Sequence, residues 1–267
     1  MIKKINEFLL TLFLGQNHSR PKNKLRPALK NQWLNVKRIW NNEHNNDFGL
    51  ERIIRLFLAL SLFIFPGIYI RDFFGRFGLL GRKLGVEFYV IIKLFLPIIF
   101  FKLDLTNNLF IAVISAIMII ETVIYLTTLI FLSNEFAKPI SYRRSLTSVF
   151  INYIQICLDY AVIYSYCNSS IPNFFNYKLT TDIQEIYFSF VTSATVGYGD
   201  IFVKNSLGQF LVITQIILFL FFAGLFITFF ASKVNDPTYY NAKPTYDDKW
   251  QKPTNKKSET KQNKSIC

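Results

Sequence analysis

Residues 195–200 read Thr195-Val196-Gly197-Tyr198-Gly199-Asp200, and the chemistry they offer lies in the main chain. Two glycines at alternate positions open backbone angles closed to other residues. If alternate residues take opposite hands, successive carbonyls can point the same way. Such a row of oxygens can replace the water shell of a dehydrated cation. No paired carboxylates, histidine cluster or nucleophile–base set accompanies this stretch, so bond-making catalysis is not indicated. His18 and His44 stand apart without a ligand set. Cys157, Cys167 and Cys267 have no metal spacing and make no disulfide framework. For Cys167 a free thiol is the expected state, ahead of pairing between chains.

A polar run of this kind cannot face lipid, because its N–H and C=O groups would lack partners. It is therefore either a loop in water or a segment buried in protein that lines something wet. The preceding sequence, TTDIQEIYFSFVTSA (180–194), predicts a short helix over about 182–194. Thr181 or Asp182 caps it, with Glu185 in the capping-box position. A helix of that length, entering from outside, stops near mid-membrane. Its carboxyl end then brings partial negative charge to that point.

The rest of the chain fits such a setting. Of 267 residues, 51% are hydrophobic, and the net charge is +13. The apolar residues gather in five runs, roughly 53–70, 86–103, 109–132, 146–166 and 208–231, between polar, basic ends. This is the pattern of an all-α integral membrane protein with aqueous tails. No nucleic-acid-binding signature is visible, so the charge is assigned to topology and to membrane lipids, anionic ones included. Nor is there an arginine ladder, a GxGxxG or a Walker loop. Ile2, Ile5, Phe8, Leu9, Leu12 and Phe13 recur at helical spacing and predict an amphipathic start within a basic segment, 1–50, of loose or short helical structure.

Lysines and arginines are abundant before residue 50, in 71–85, in 133–145 and after 232, but sparse in 104–108 and 167–207. By the positive-inside rule the sparse regions lie outside and both termini are cytoplasmic. Stretch 53–70 would separate two basic segments if it crossed, so segment 51–85 is read as interfacial or re-entrant with a basic link. Two transmembrane helices follow within 86–132. Lys93 lies about 10 Å, and Glu121 about 12 Å, from the inner face. The two charges are therefore a candidate intramembrane pair, against the alternative that each snorkels or faces water.

The hexapeptide resembles the filter signature of potassium channels, whose TVGYG loop is a known cation filter. A preset string of six letters occurs by chance in such a chain roughly four times in a million. The resemblance covers about 146–232, within a pore module spanning 133–232. It implies an outer helix 146–166, the pore helix, a filter 195–199 and an inner helix 208–231. It also implies that Thr195, Val196, Gly197 and Tyr198 offer carbonyls to K+, the permeant ion, with Gly199 closing the filter. The Thr195 hydroxyl would close the innermost site. Asp200 would be bonded behind the filter, with Tyr187 in the place of a common tryptophan partner. Gly208 matches a frequent glycine. Ala194, Phe188 and Val203 depart from the pattern. The usual hinge glycine is Phe219, and Gly224 is the nearest glycine, a candidate for gating or for packing.

One filter loop per chain implies a homotetramer that passes potassium down its gradient in the cell membrane, with no cofactor and no enzymatic activity. The alternatives are a poorly selective cation channel, suggested by Ala194 and Phe188, and a non-conducting regulatory subunit. The tail 233–267 is basic and cytoplasmic in this reading. Asp159, inside the outer helix, either lines a crevice, contacts the pore helix or bonds locally.

Overall fold

A computed structural model describes residues 27–42, 48–132 and 142–227. The amphipathic start, most of the link 133–145 and the tail 233–267 lie outside the described residues. The chain folds into helices α1 (Ala28–Asn41), α2 (Leu50–Ser61), α3 (Pro66–Gly75), α4 (Gly78–Lys102), α5 (Leu109–Phe131), α6 (Tyr142–Ser170), α7 (Asp182–Ser193) and α8 (Ser206–Phe221). A π-helical turn, Phe222–Ile227, continues α8. Among the described residues the only β pairing is a bridge between Phe175 and Val203.

Segment 28–41 is more ordered than its polar composition suggests. It forms a full helix because it has something to dock on. Gln32 Nε2 donates to the Ala59 carbonyl at 2.9 Å, and Asp72 Oδ1 accepts from the Leu29 N–H at 3.2 Å. Ile39 joins Leu58, Ala59 and Leu132 in an apolar cluster. The run 53–70 is two helices, α2 and α3, bent by 62°. Pro66 starts α3, where its missing N–H costs nothing. At about 1.5 Å per residue neither helix alone crosses a core of about 30 Å. Their angle fits a re-entrant segment as well as a broken span.

The basic link expected over 71–85 is not a loop. Arg76 and Phe77 alone separate α3 from α4, and α4 starts at Gly78 instead of residue 86. Close packing accounts for the difference. A Cβ on Gly85 would come within 2.3 Å of the Phe74 ring, so α3 lies directly against the first turns of α4.

Among the described residues, three helical segments are each long and apolar enough to cross a membrane: Leu84–Lys102, Leu109–Thr128 and Ser206–Gly224. The outer helix α6 is longer than expected and more polar than these. It tolerates Asn152, Gln155 and Asp159 because all three are buried in protein, among α4, α5 and α7. Asp159 takes the local alternative: it accepts a hydrogen bond from Gln155 Nε2, one helical turn away.

Lys93 and Glu121 meet, with Nζ 3.3 Å from Oε2. The Tyr89 hydroxyl donates to the same carboxylate at 2.7 Å. Lys93 also reaches the Thr122 hydroxyl, and Thr122 donates to Gln155 Oε1 at 3.0 Å. A continuous polar chain thus runs Tyr89–Glu121–Lys93–Thr122–Gln155–Asp159 across α4, α5 and α6. Removing one partner of a buried ion pair strands the other charge and costs about 3–5 kcal/mol, whereas replacing both with apolar groups is often neutral. Glu121→Leu should therefore lower the thermal midpoint of the purified protein sharply. Lys93→Met with Glu121→Leu should recover most of the loss. Equal losses in the single and double variants would contradict this account.

Candidate functional site

The site is built on α7. Thr181 is its N-cap, in extended conformation. Gln184, rather than Glu185, occupies the capping position: its Oε1 accepts the N–H of Thr180 at 2.9 Å and of Thr181 at 3.3 Å. The choice of Thr181 over Asp182 shifts the third helical position to Gln184. Glu185 is buried instead and accepts from Asn168 Nδ2 on α6 at 3.0 Å.

Hydrogen bonds to α6 and α8 fasten the lower half of α7. The Ser189 hydroxyl donates to the Cys157 carbonyl at 2.6 Å. Gln215 Nε2, from α8, donates to both the carbonyl and the hydroxyl oxygen of Ser189 at 2.9 Å. The Tyr164 hydroxyl donates to Gln215 Oε1 at 2.8 Å. Ser193 Oγ lies 2.9 Å from the Tyr153 hydroxyl. Cys157 and Cys167 are free thiols, both buried. Phe188 packs edge-on against Tyr164 and Phe175. Its ring serves the core, away from Tyr198.

Residues 195–199 leave the carboxyl end of α7 with their N–H groups turned back to it. Thr195 N–H bonds to the Thr192 carbonyl at 3.0 Å, and Val196 N–H to that of Val191 at 3.1 Å. Positive φ recurs at every second residue: Thr195 (55°), Gly197 (59°) and Gly199 (79°). Among the described residues, the other non-glycine positions with positive φ are Asn42, Asp104 and Asn173, whose short polar side chains suit that region. Thr195 is β-branched, and holding it there costs about 1–3 kcal/mol. A Cβ on Gly197 or Gly199 would meet nothing within 4 Å, and Val196 and Tyr198 are 51% and 71% exposed. One chain therefore leaves this segment uncovered.

Tyr187 stacks on Tyr198, with centroids 6.5 Å apart and rings 3° from parallel, and its hydroxyl lies beside Asp200. The outgoing limb is clamped by 174–176. Asn176 Nδ2 donates to the Asp200 carbonyl at 2.8 Å, and its Oδ1 accepts the Phe202 N–H at 3.2 Å. Lys204 N–H reaches the Phe174 carbonyl at 2.9 Å. Gly208 lies under this clamp, where a Cβ would be 2.9 Å from Val203 and 3.0 Å from the Phe174 ring.

On α8, Phe210, Ile213, Ile217 and Leu220 form an exposed stripe, opposite the buried Gly208 and Gln215. The phenylalanines of α8 and the turn after it do not all face outward: Phe222 is buried, and Phe219 and Phe222 lie against the Tyr153 ring. Gly224 sits in the π-helical turn, and a Cβ there would meet nothing within 4 Å in this chain. Sequence reasoning missed Gln215, Ser189 and Asn176. An amide in the middle of an apolar helix was a usable signal for Gln215. Asn176 lies in a polar loop with no such signal.

Comparison with known proteins agrees in kind. Residues 152–236 match a family model described as an ion channel. No curated protein and no solved structure matches the chain. Over residues 152–236 the chain is similar to ion channels, and the matched region contains all of the geometry from α7 to the π-helical turn.

Leaving a buried polar group without its partner costs about 1–3 kcal/mol. Gln215→Leu orphans the Tyr164 hydroxyl and should lower the thermal midpoint. Adding Tyr164→Phe should return part of the loss. Asn176→Ala, at a half-buried position, should cost less stability than Gln215→Leu while loosening residues 200–202. Hydrogen exchange at Phe202 N–H reads that loosening directly.

Proposed function

We propose that this protein is a potassium-selective channel, with residues 195–199 of four identical chains forming its filter. The observation that carries the reading is the alternation of positive φ at Thr195, Gly197 and Gly199 in a segment that its own chain leaves exposed. Alternating hands turn successive carbonyls to one side, where they can stand in for hydration water. Exposed peptide groups flanked by membrane helices need cover from water or from other copies. Four-fold assembly supplies both, with an aqueous axis and neighbouring chains around it. The strain at Thr195 fits a position whose carbonyl direction matters more than its comfort.

In this reading potassium sheds water at the outer mouth and passes along the carbonyls of Tyr198, Gly197, Val196 and Thr195. The carboxyl end of α7 favours the cation beyond them. Tyr187 holds Asp200 and, by stacking on Tyr198, fixes the width of the ring. Gln215 and Ser189 keep α7 at a constant distance from α8. Gly224 is a gating position in this scheme, because a Cβ there would meet nothing within one chain.

Proteoliposomes containing this protein alone test the reading. A potassium gradient should drive a flux that Gly197→Ala abolishes, since a left-handed φ at 197 becomes costly for a residue with a Cβ. Reversal potentials in mixed potassium and sodium should lie near the potassium value. A reversal midway between the two would favour a poorly selective cation channel. No flux under any gradient would favour a non-conducting subunit. Tyr187→Phe keeps the stacking but removes the hydroxyl beside Asp200. It should leave folding intact and weaken potassium selectivity.

A further inference from the structure

Away from the filter, α1, the bend between α2 and α3, α4 and α5 enclose a cavity of about 80 Å³. Its wall includes Arg71, Arg82, Lys93 and Glu121. Lys93 and Glu121 neutralise each other at the deep end, whereas Arg71 and Arg82 are near enough to repel. Burial, and then Arg71, holds the Arg82 guanidinium below its ordinary value, with partial relief from Asp72. Asp72 itself accepts the Leu29 N–H. Arg82 lies just before the membrane-crossing part of α4, which begins at Leu84. Lys93 is about 16 Å further along the helix. The cavity therefore has a positive mouth at the membrane boundary and a neutral floor within the apolar layer. Between them Phe65, Ile68, Val86 and Val90 supply an apolar wall. Asn152, a buried amide, also lines the space.

We propose that this cavity is a binding site for an anionic phospholipid, with Arg71 and Arg82 on the phosphate, the apolar wall on the upper acyl chain and Asn152 on the glycerol–ester region. Arginine suits a phosphate through bidentate, charge-assisted bonds. Basic pockets between membrane helices have this recognition chemistry. The proposal does not depend on what the filter conducts, and failure of the flux assay leaves it standing.

The test uses the full chain in nanodiscs of phosphatidylcholine with increasing phosphatidylglycerol. The readouts are the thermal midpoint and the lipid retained in native mass spectrometry. The wild type should show a saturable rise and one retained anionic lipid per chain. Arg71→Gln with Arg82→Gln should shift half-saturation by about tenfold or more. Val90→Trp fills the cavity without changing its charge and should abolish retention, so the test survives if the double arginine variant does not fold. Arg76→Gln, exposed and outside the cavity wall, should behave as the wild type. Equal loss with Arg76→Gln would assign the effect to diffuse surface charge and overturn the proposal. So would wild-type retention in Val90→Trp. Saturation by soluble glycerol 3-phosphate in pure phosphatidylcholine, with no further effect of phosphatidylglycerol, would overturn the lipid source in favour of a free phosphate ester.

Discussion

A peptide group inside a membrane must have a partner, and that requirement organises this molecule. Most of the described chain meets it with helical hydrogen bonds. Residues 195–200 do not, and this chain also leaves them exposed. Their N–H groups at 195 and 196 are returned to α7, which leaves the carbonyls as the free face of the strand. The surrounding construction serves that asymmetry. The 174–176 clamp holds the outgoing limb, and Gln215 ties α7 to α8 through Ser189. Tyr187 ties the limb back to the helix it came from.

The same requirement operates in the other half of the protein. The Tyr89-to-Asp159 chain places charged and polar side chains in segments otherwise fit for lipid, and each member bonds to the next. This arrangement fixes how α4, α5 and α6 are rotated about their axes, since only one rotation brings Lys93, Glu121 and Gln155 together. Apolar packing alone tolerates many rotations in a membrane, where lipid competes on equal terms with protein side chains.

Much of this was legible in the sequence where the signal is local. The filter string, the short helix before it and the five apolar runs are periodicity, capping and composition. The Lys93–Glu121 pair followed from helical rise alone, because both charges sit in straight apolar segments of known length. What was illegible depends on partners far along the chain. Gln215 and Ser189 are 26 residues apart, and nothing near either names the other. The helical state of 28–41 rests on Ala59 and Asp72, and the early start of α4 rests on Phe74 lying over Gly85. The capping partner was misplaced by one residue, because Gln184 and Glu185 are both competent and only the cap's position decides between them.

The protein-wrapped course of α6 has a consequence for how such chains are counted. Hydropathy scores a helix by its fitness for oil, but α6 is solvated largely by its neighbours, so it escapes a count that finds α4, α5 and α8. Each crossing added to the tally reverses the face on which the chain emerges. Parity, and with it the side assigned to the lysine-rich tail, therefore turns on α6, whose environment is largely the protein itself, together with the course of the bent α2–α3 pair.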